Sequence, residues 1–462
     1  MDNTRLVKTL AGRAAQDRLA TMHAGSVQIR GSCGRIRGSV VAIIRDADAG
    51  PGVMRRLLMY SQDGNGLGHL RRSFNIATEL RRRNPRCDVL IVADSPAASI
   101  VGSAPGIDLV KLPTILKTGT TTWTSATLSM PARRLVRMRA QLMLHAFTEF
   151  APDAVLVDHM PVGALGELKP VLDSAIARAR PPRLFLGLRD ILDRPERIRR
   201  AWRKTGAYDY LPAYDAVLIY GSRSVFDASA AYGLTDARAI EYCNYVARPR
   251  RAPTRTDMPA GPFVLMMGGG GGDAYPLASA FADATRAVHE VTGAAAVILP
   301  GPNMSMAEAG RLVRRAPDSV RVVTGCPDAA GWIPGAAALV TMAGYNSLCE
   351  VLAWEKKAVV VPRTGPSAEQ RMRSTLFSRR SLIRAIQPER LTSERLGAGL
   401  NRLLADEDVP NLANIPPLNG AQRAAETLLD RVHARSRRRR TAAPAGPGDR
   451  PLVAAGAAGG SP

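Results

Sequence analysis

Hydrophobic and polar positions along this chain fall into a repeated two-beat pattern. Short, nearly unbroken apolar runs alternate with longer segments of helical period, and glycine-containing loops join them. Leu57-Leu58-Met59-Tyr60, Cys87 to Val92, Asp108 to Pro113, Ala154 to Asp158, Arg183 to Asp190 and Ala216 to Gly221 read as one set of strands. Val264 to Met267, Ala296 to Leu299, Val320 to Val323, Leu339 to Thr341 and Val359 to Val361 read as a second set. Runs that stay apolar at every position suit strands covered by helices on both faces, which is the condition of a parallel sheet. The spacing predicts a helix over about Leu70 to Arg83 and another from Pro131 to about Phe150, since proline is tolerated in a first helical turn. The Thr-rich stretch Thr114 to Thr124 reads as a surface loop, with Trp123 as an apolar point able to meet a ligand or another domain.

Strand, glycine loop and helix in repetition make an α/β chain, and breaks in composition divide it. Residues 1–53 lack a clean period and read as a poorly ordered extension; 54–246 form a first Rossmann-like domain. Residues 247–261, with Pro249, Pro253 and Pro259, have linker composition; 262–430 form a second Rossmann-like domain. Residues 431–462 are a basic tail rich in Ala, Gly and Pro and read as disordered. Two such domains facing each other leave a cleft between their strand carboxyl ends, where ligands bind in this architecture.

Length supports the division, because 462 residues exceed what a single hydrophobic core holds by default. The formal charge of +23 raises nucleic acid as a partner, but it is widely spread and part of it lies in Arg435 and Arg437 to Arg440 of the tail. A basic surface is equally compatible with anionic lipid, glycan or nucleotide, and nucleic acid is not the favoured partner. Five cysteines, Cys33, Cys87, Cys243, Cys326 and Cys349, are far apart and odd in number, which fits a reducing compartment better than a disulfide framework. No metal-binding spacing or Walker A lysine is present, and no run reaches the ~18 apolar residues of a membrane span. No apolar core follows Lys8 and Arg13, so the expected location is the cytoplasm, with peripheral contact at the inner membrane face.

The candidate chemistry lies at strand ends. His69 follows Gly66-Leu67-Gly68 at a strand-to-helix turn, where an imidazole can take a proton from a hydroxyl while loop N–H groups face an anion; the plainer reading is a histidine that caps the loop. Arg71 and Arg72 can face a phosphate or an acidic acceptor, or stand solvated on a helix surface; Asp63 can bind a hydroxyl or cap the helix. Asp158 and Asp190, at the ends of two strands, can orient a catalytic group or bind a hydroxyl, or make structural contacts only. The run Gly268, Gly269, Gly270, Gly271 and Gly272 follows a strong strand, which suits phosphate binding by main-chain N–H groups; the alternative is a mobile linker. Gly344, Asn346 and Ser347 repeat that placement, Glu350 can accept from a ribose diol or complement the helix field, and Glu369 with Gln370 suit sugar hydroxyls.

Those four segments, Gly66 to His69, Gly268 to Gly272, Thr341 to Glu350 and Pro362 to Gln370, resemble in order and spacing the GT-B-fold glycosyltransferases of the family 28 group. That group includes the bacterial N-acetylglucosamine transferase acting on peptidoglycan lipid precursor, and the chain looks more similar to its less characterised predicted glycosyltransferases. The resemblance covers about residues 55 to 425. It implies an acceptor-side first domain and a second domain that binds a nucleoside diphosphate sugar, with the glycines near diphosphate, Glu350 on ribose and Glu369-Gln370 near the sugar. It also implies metal-independent transfer of a hexose from a UDP- or dTDP-sugar, with His69 near the reacting oxygen, no cofactor beyond the donor substrate, and an unidentified hydroxyl acceptor of lipid-linked or glycan type. The first loop departs from the group in lacking its fuller glycine-rich form and in carrying Leu70-Arg71-Arg72. A nucleotide-sugar epimerase on the same two-domain fold and a non-enzymatic basic nucleotide- or nucleic-acid-binding protein stand as alternatives. A dinucleotide-dependent dehydrogenase fits less well, because His69 stands where close packing of a dinucleotide needs a small residue.

Overall fold

The computed structural model describes residues 54–441 apart from 65, 97, 99–103, 118–122, 251–257 and 327, and the side chains up to 434. The extension 1–53, the core of the linker and the tail beyond 441 lie outside the described residues. In chain order the first lobe runs β1 (Arg56–Ser61), α1 (Gly68–Arg83), β2 (Asp88–Ala93), β3 (Ile107–Lys111), β4 (Ile115–Lys117), β5 (Trp123–Ser125), α2 (Ala132–Phe150), β6 (Ala154–Asp158) and α3 (Lys169–Ala177). It continues through β7 (Arg183–Arg189), α4 (Pro195–Thr205), α5 (Ala207–Tyr210), β8 (Ala216–Tyr220), α6 (Ala228–Tyr232) and β9 (Ile240–Tyr242). The second lobe runs β10 (Phe263–Met267), α7 (Tyr275–Thr292), β11 (Ala295–Leu299), α8 (Met306–Arg315), β12 (Val320–Val322), β13 (Ala336–Thr341) and α9 (Tyr345–Ala353). After it come β14 (Lys357–Val360), α10 (Glu369–Ser378), β15 (Arg384–Ala385), α11 (Ser393–Ala405) and the last helix α12 (Gly420–Thr441).

Both sheets are parallel and share one strand order. The first is β3-β2-β1-β6-β7-β8-β9 and the second β12-β11-β10-β13-β14-β15. In each, the order reverses beside the first strand, between β1 and β6 and between β10 and β13, so the loops leaving those strands diverge and open a crevice at the carboxyl edge. Apolar runs make the central strands: every residue of β6, β8 and β10 is buried. Helix α1 buries Leu70, Ser73, Ile76, Ala77 and Leu80, a single stripe at helical spacing, against this sheet. The fold is thus two Rossmann-like domains across a cleft, as the pattern of apolar runs predicts.

Three features differ from the sequence expectation. Thr114 to Thr124 is not plain loop: β4 and β5 pair antiparallel, Lys117 opposite Trp123, and put Trp123 on the cleft. The helix expected from about Leu70 begins at Gly68, so His69 already lies in its first turn. The chain also does not leave helix at 430. Helix α12 runs on to Thr441 and packs on α1 of the first lobe, burying Ala424, Ala425, Leu428 and Val432 in the cluster that contains Ile76 and Leu80. Burial of Leu428 and Val432 contributes roughly 1.5–3 kcal/mol each. Arg83 pairs with Glu426 at 2.8 Å and Arg431 with Glu241 at 2.7 Å, so the last helix ties the second lobe back to the first.

Candidate active site

The loop after β1 places His69 one residue inside α1, and the carboxyl end of β6 places Asp158 opposite it. His69 Nδ1 lies 2.5 Å from Asp158 Oδ2. Arg72, one turn along α1, donates from two nitrogens to the same carboxylate, Nη2 standing 2.8 and 2.7 Å from its oxygens and Nε 3.2 Å from Oδ1. Asp158 is 2 % exposed. Burial alone would push its carboxyl up, but the Arg72 charge and the hydrogen bonds from Arg72 and His69 outweigh it and hold it below the usual carboxylate range. An ionised carboxylate has no proton to give, so the 2.5 Å contact requires the hydrogen on Nδ1. Arg72 Nη2, 2.7 Å from that nitrogen, then spends its hydrogens on Asp158. This tautomer leaves Nε2 with its lone pair, and His69 lines the cleft.

Asp63 decides what else this loop can do. Its carboxylate accepts from the N–H groups of His69 at 3.1 Å and Leu70 at 2.5 Å, so it caps the α1 N-terminus from within the loop. Asp63 in turn is held by Asp94, which accepts from its N–H at 2.6 Å. The expected anion contact at Gly66 and Gly68 is therefore replaced by a resident carboxylate. Gly66 gives its N–H to Asp63 O at 3.2 Å and accepts from Ser95 Oγ at 2.6 Å. Gly68 O accepts from Asn346 Nδ2 of the other lobe at 3.0 Å. Arg72 is likewise corrected: it is 2 % exposed and faces Asp158 rather than a phosphate. Arg71, half-buried on the cleft wall, acts instead on Glu350 across the gap.

The second lobe builds the opposite surface. Gly268 to Gly271 form a tight turn closed by Gly271 N–H to Gly268 O at 3.0 Å, with Gly269 at φ 59° and Gly271 at φ 93°. A Cβ on Gly268 would meet Pro300 O at 2.2 Å and one on Gly271 would meet the Gly301 backbone at 2.8 Å, so both glycines are required by close approach of the loop after β11. The run is an ordered turn and not a mobile linker. Among the described residues, the N–H groups of Gly269, Gly270 and Gly272 donate to nothing. Helix α9 starts beside them with Gly344 as N-cap and no side chain bonded to its first turn. Ser347 Oγ joins the two segments, 3.6 Å from the Cβ position of both Gly269 and Gly344.

Glu350 lies half-buried on the cleft, and burial raises its carboxyl against the lowering pull of Arg71 and Arg248. Glu369, 2 % exposed, opens α10. Burial would push it up, but Arg189, Arg363, the Ser367 hydroxyl and Arg373 hold it down at about 2. Gln370 Oε1 accepts from Arg363 N–H at 3.1 Å, fixing the loop after β14. Asp190 is not in this company. It is 1 % exposed and carries a two-pronged ion pair with Arg373 of the second lobe, at 2.9 Å from Nε and 2.8 Å from Nη2, plus Tyr245 at 3.3 Å. The expected catalytic role gives way to an interlobe clamp, which Ala368 N–H to Asp193 at 2.9 Å and Val246 N–H to Tyr345 Oη at 2.9 Å extend.

The cleft has a volume of about 1990 Å³ and is lined by His69, the glycine turn, the α9 N-terminus, Glu350, Glu369 and Gln370 together. Among the described residues no group of three or more His, Cys, Asp or Glu is placed to hold a metal ion, and no helix is long and apolar enough to cross a membrane. The four described cysteines are unbridged.

Three solved structures illustrate the likeness of this fold to known ones. The glycotransferase of kitacinnamycin superposes with a TM-score of 0.54 at 17 % identity, over 85 % of this chain and 99 % of that one. The calicheamicin glycosyltransferase CalG4 gives 0.52 at 16 %, over 85 % and 100 %. The fold is GT-B. The spinosyn rhamnosyltransferase SpnG, complexed with thymidine diphosphate, gives 0.50 at 17 %, over 84 % and 99 %. No protein-family model and no curated protein sequence matches the chain. In a GT-B fold the two carboxyl edges meet at one cleft, which is where the His69–Asp158 pair and the glycine turn stand here.

Proposed function

We propose that the protein is a glycosyltransferase that moves a hexose from a nucleoside diphosphate donor, a UDP- or dTDP-sugar, to a hydroxyl acceptor without a metal ion. One observation carries this reading: a histidine–carboxylate pair from one lobe and a set of unspent main-chain N–H groups from the other face the same cleft. The GT-B likeness to sugar transferases, one of them holding thymidine diphosphate, agrees with it. So do the motifs shared with the family 28 group.

In this reading the donor diphosphate sits on Gly269, Gly270, Gly272 and the α9 N-terminus, whose N–H groups and helix field stabilise the charge that grows on the departing phosphate. Glu350 accepts from the ribose diol, and Glu369 and Gln370 hold the donor sugar. His69 Nε2 removes the proton as the acceptor oxygen attacks the anomeric carbon and the bond to diphosphate breaks. Asp158, fixed by Arg72, keeps Nδ1 protonated and stabilises the imidazolium that forms. Cytoplasmic location with peripheral contact at the membrane face belongs to the same reading.

The test is a panel of nucleoside diphosphate sugars measured for binding, followed by mass analysis of products with lipid, glycan and small-molecule acceptors. The reading expects one donor to bind and its sugar to appear on an acceptor. An isomerised donor formed with no acceptor present would replace it by epimerase chemistry. Salt-sensitive binding of nucleic acid that survives His69→Ala and Glu350→Ala, with no donor bound, would replace it by a non-enzymatic function.

A further inference from the structure

Three arginines converge beneath the cleft, and two of them have a carboxylate of their own. Arg72 holds Asp158 and Arg373 holds Asp190. Arg189, the last residue of β7, hydrogen-bonds to none: its buried Nε has no hydrogen-bond partner among the described residues, and it acts on Glu369 through charge alone. The carboxylate that acts on it most is Glu369, which is already engaged by Arg363 and Ser367. Burial and the neighbouring Arg72 and Arg373 charges both disfavour the guanidinium there. A guanidinium that shares its carboxylate with other cations and keeps a buried N–H unspent gains hydrogen bonds from an anionic ligand.

The wall next to it extends the same charge. Arg197, Arg200 and Lys204 fall on one face of α4 at helical spacing, and Lys169 stands at the start of α3; all four line the cleft. Arg197 is spent on Asp193 at 3.3 Å and on Pro366 O at 2.7 Å. Arg200 and Lys204 are exposed and form no ion pair among the described residues. Of the acids of this wall, Asp193 is committed, accepting also from Ala368 N–H, while Glu196 is exposed and lies 4.0 Å from Arg199. Leu116, Trp123, Met160 and Leu165 add apolar surface to the first-lobe lining of the cleft.

We propose that the first-lobe wall of the cleft takes an oxyanion, with Arg189 at its base and Arg200 and Lys204 at its rim, so that the acceptor is a hydroxyl compound bearing a phosphate or carboxylate beside an apolar body. The word acceptor rests on the glycosyltransferase reading; the oxyanion site does not. A guanidinium fork matches either oxyanion in geometry, and the flanking rim charges draw it in.

Calorimetry on the full chain at fixed ionic strength tests this with phenyl phosphate, benzoate and phenol as probes. At least one anion binds about ten-fold or more tighter than phenol, and whichever anion leads names the oxyanion. Arg189→Gln and, separately, R200E/K204E abolish that advantage while leaving UDP binding as in the wild type. A cooperative melting transition kept by Arg189→Gln separates loss of a site from loss of the fold. Phenol binding as tightly as both anions overturns the proposal. So does an advantage that survives both variants, or displacement of the anion by UDP, which would put it in the diphosphate cradle. If UDP and dTDP fail to bind the wild type while the advantage and its loss persist, the oxyanion site stands and the glycosyltransferase reading falls.

Discussion

The two lobes carry parallel sheets with the same reversal point, the first with one more edge strand, yet the helices that meet the cleft from its two sides, α1 after β1 and α9 after β13, begin differently. In the first lobe the α1 N-terminus is filled by Asp63, whose carboxylate takes the N–H groups of His69 and Leu70. In the second lobe the α9 N-terminus has no side-chain cap and lies against a glycine turn with N–H groups to spare. Closely similar scaffolds thus yield one helix N-terminus already filled by a carboxylate beside an imidazole, and one that keeps its N–H groups unspent. The difference comes from a handful of loop residues, because the sheet supplies only the location.

The largest effect expected from this contrast is on turnover. His69→Ala should lower the transfer rate by about 10²–10⁴-fold while the affinity for UDP or dTDP stays unchanged, checked by product formation and by calorimetry. If both fall together, the lobes do not divide the work.

Acid should weaken both lobes, each through its own carboxylate. Asp158 in the first and Glu369 in the second are held below their ordinary range, Glu369 from 4.5 to about 2. A carboxyl depressed in the folded state contributes stability that is complete above its unfolded value and is lost as pH falls through the folded one. For Glu369 that window runs from 4.5 down to about 2, and the loss amounts to about 3 kcal/mol. Melting curves of the wild type and Glu369→Gln should therefore converge toward the acid end of this window; parallel curves would remove the ion-pair account.

The smallest effect separates the two glycine loops. Gly271 has φ 93° and a Cβ there meets backbone at 2.8 Å, so Gly271→Ala should cost roughly 1–3 kcal/mol and weaken nucleotide binding. The nearest atom to a Cβ on Gly66 is 3.9 Å away, and Gly66→Ala should leave both nearly as they were. Thermal denaturation and UDP titration of the pair measure the contrast.

Most of the fold was legible in the chain, because strands buried on both faces announce themselves as uninterrupted apolar runs; β6 and β8 lie where Ala154 to Asp158 and Ala216 to Gly221 predict them. The short edge strands β9 and β15 carried no such run and were not legible. In the site, the place of His69 and of the glycine run directly after strands was readable, and the structure puts both on the cleft. Asp190 was misread because its partner, Arg373, is 183 residues away, and a strand-end acid looks the same whether it faces a ligand or a guanidinium. The fixing of Asp158 by Arg72 had one local clue, the spacing of three from His69 on a helix, which puts both side chains on one face. Arg189 had none, since an unspent buried N–H is a property of the folded molecule. The crossing of α12 onto α1 was hidden as well, its basic composition being that of a solvated tail.

A structure of the protein with UDP or dTDP bound tests the central claim most directly. The account predicts the two phosphates on the N–H groups of Gly269, Gly270, Gly272 and the first turn of α9, with His69 Nε2 facing them across the cleft. Phosphates seated at the α1 N-terminus, beside Asp63, would contradict it.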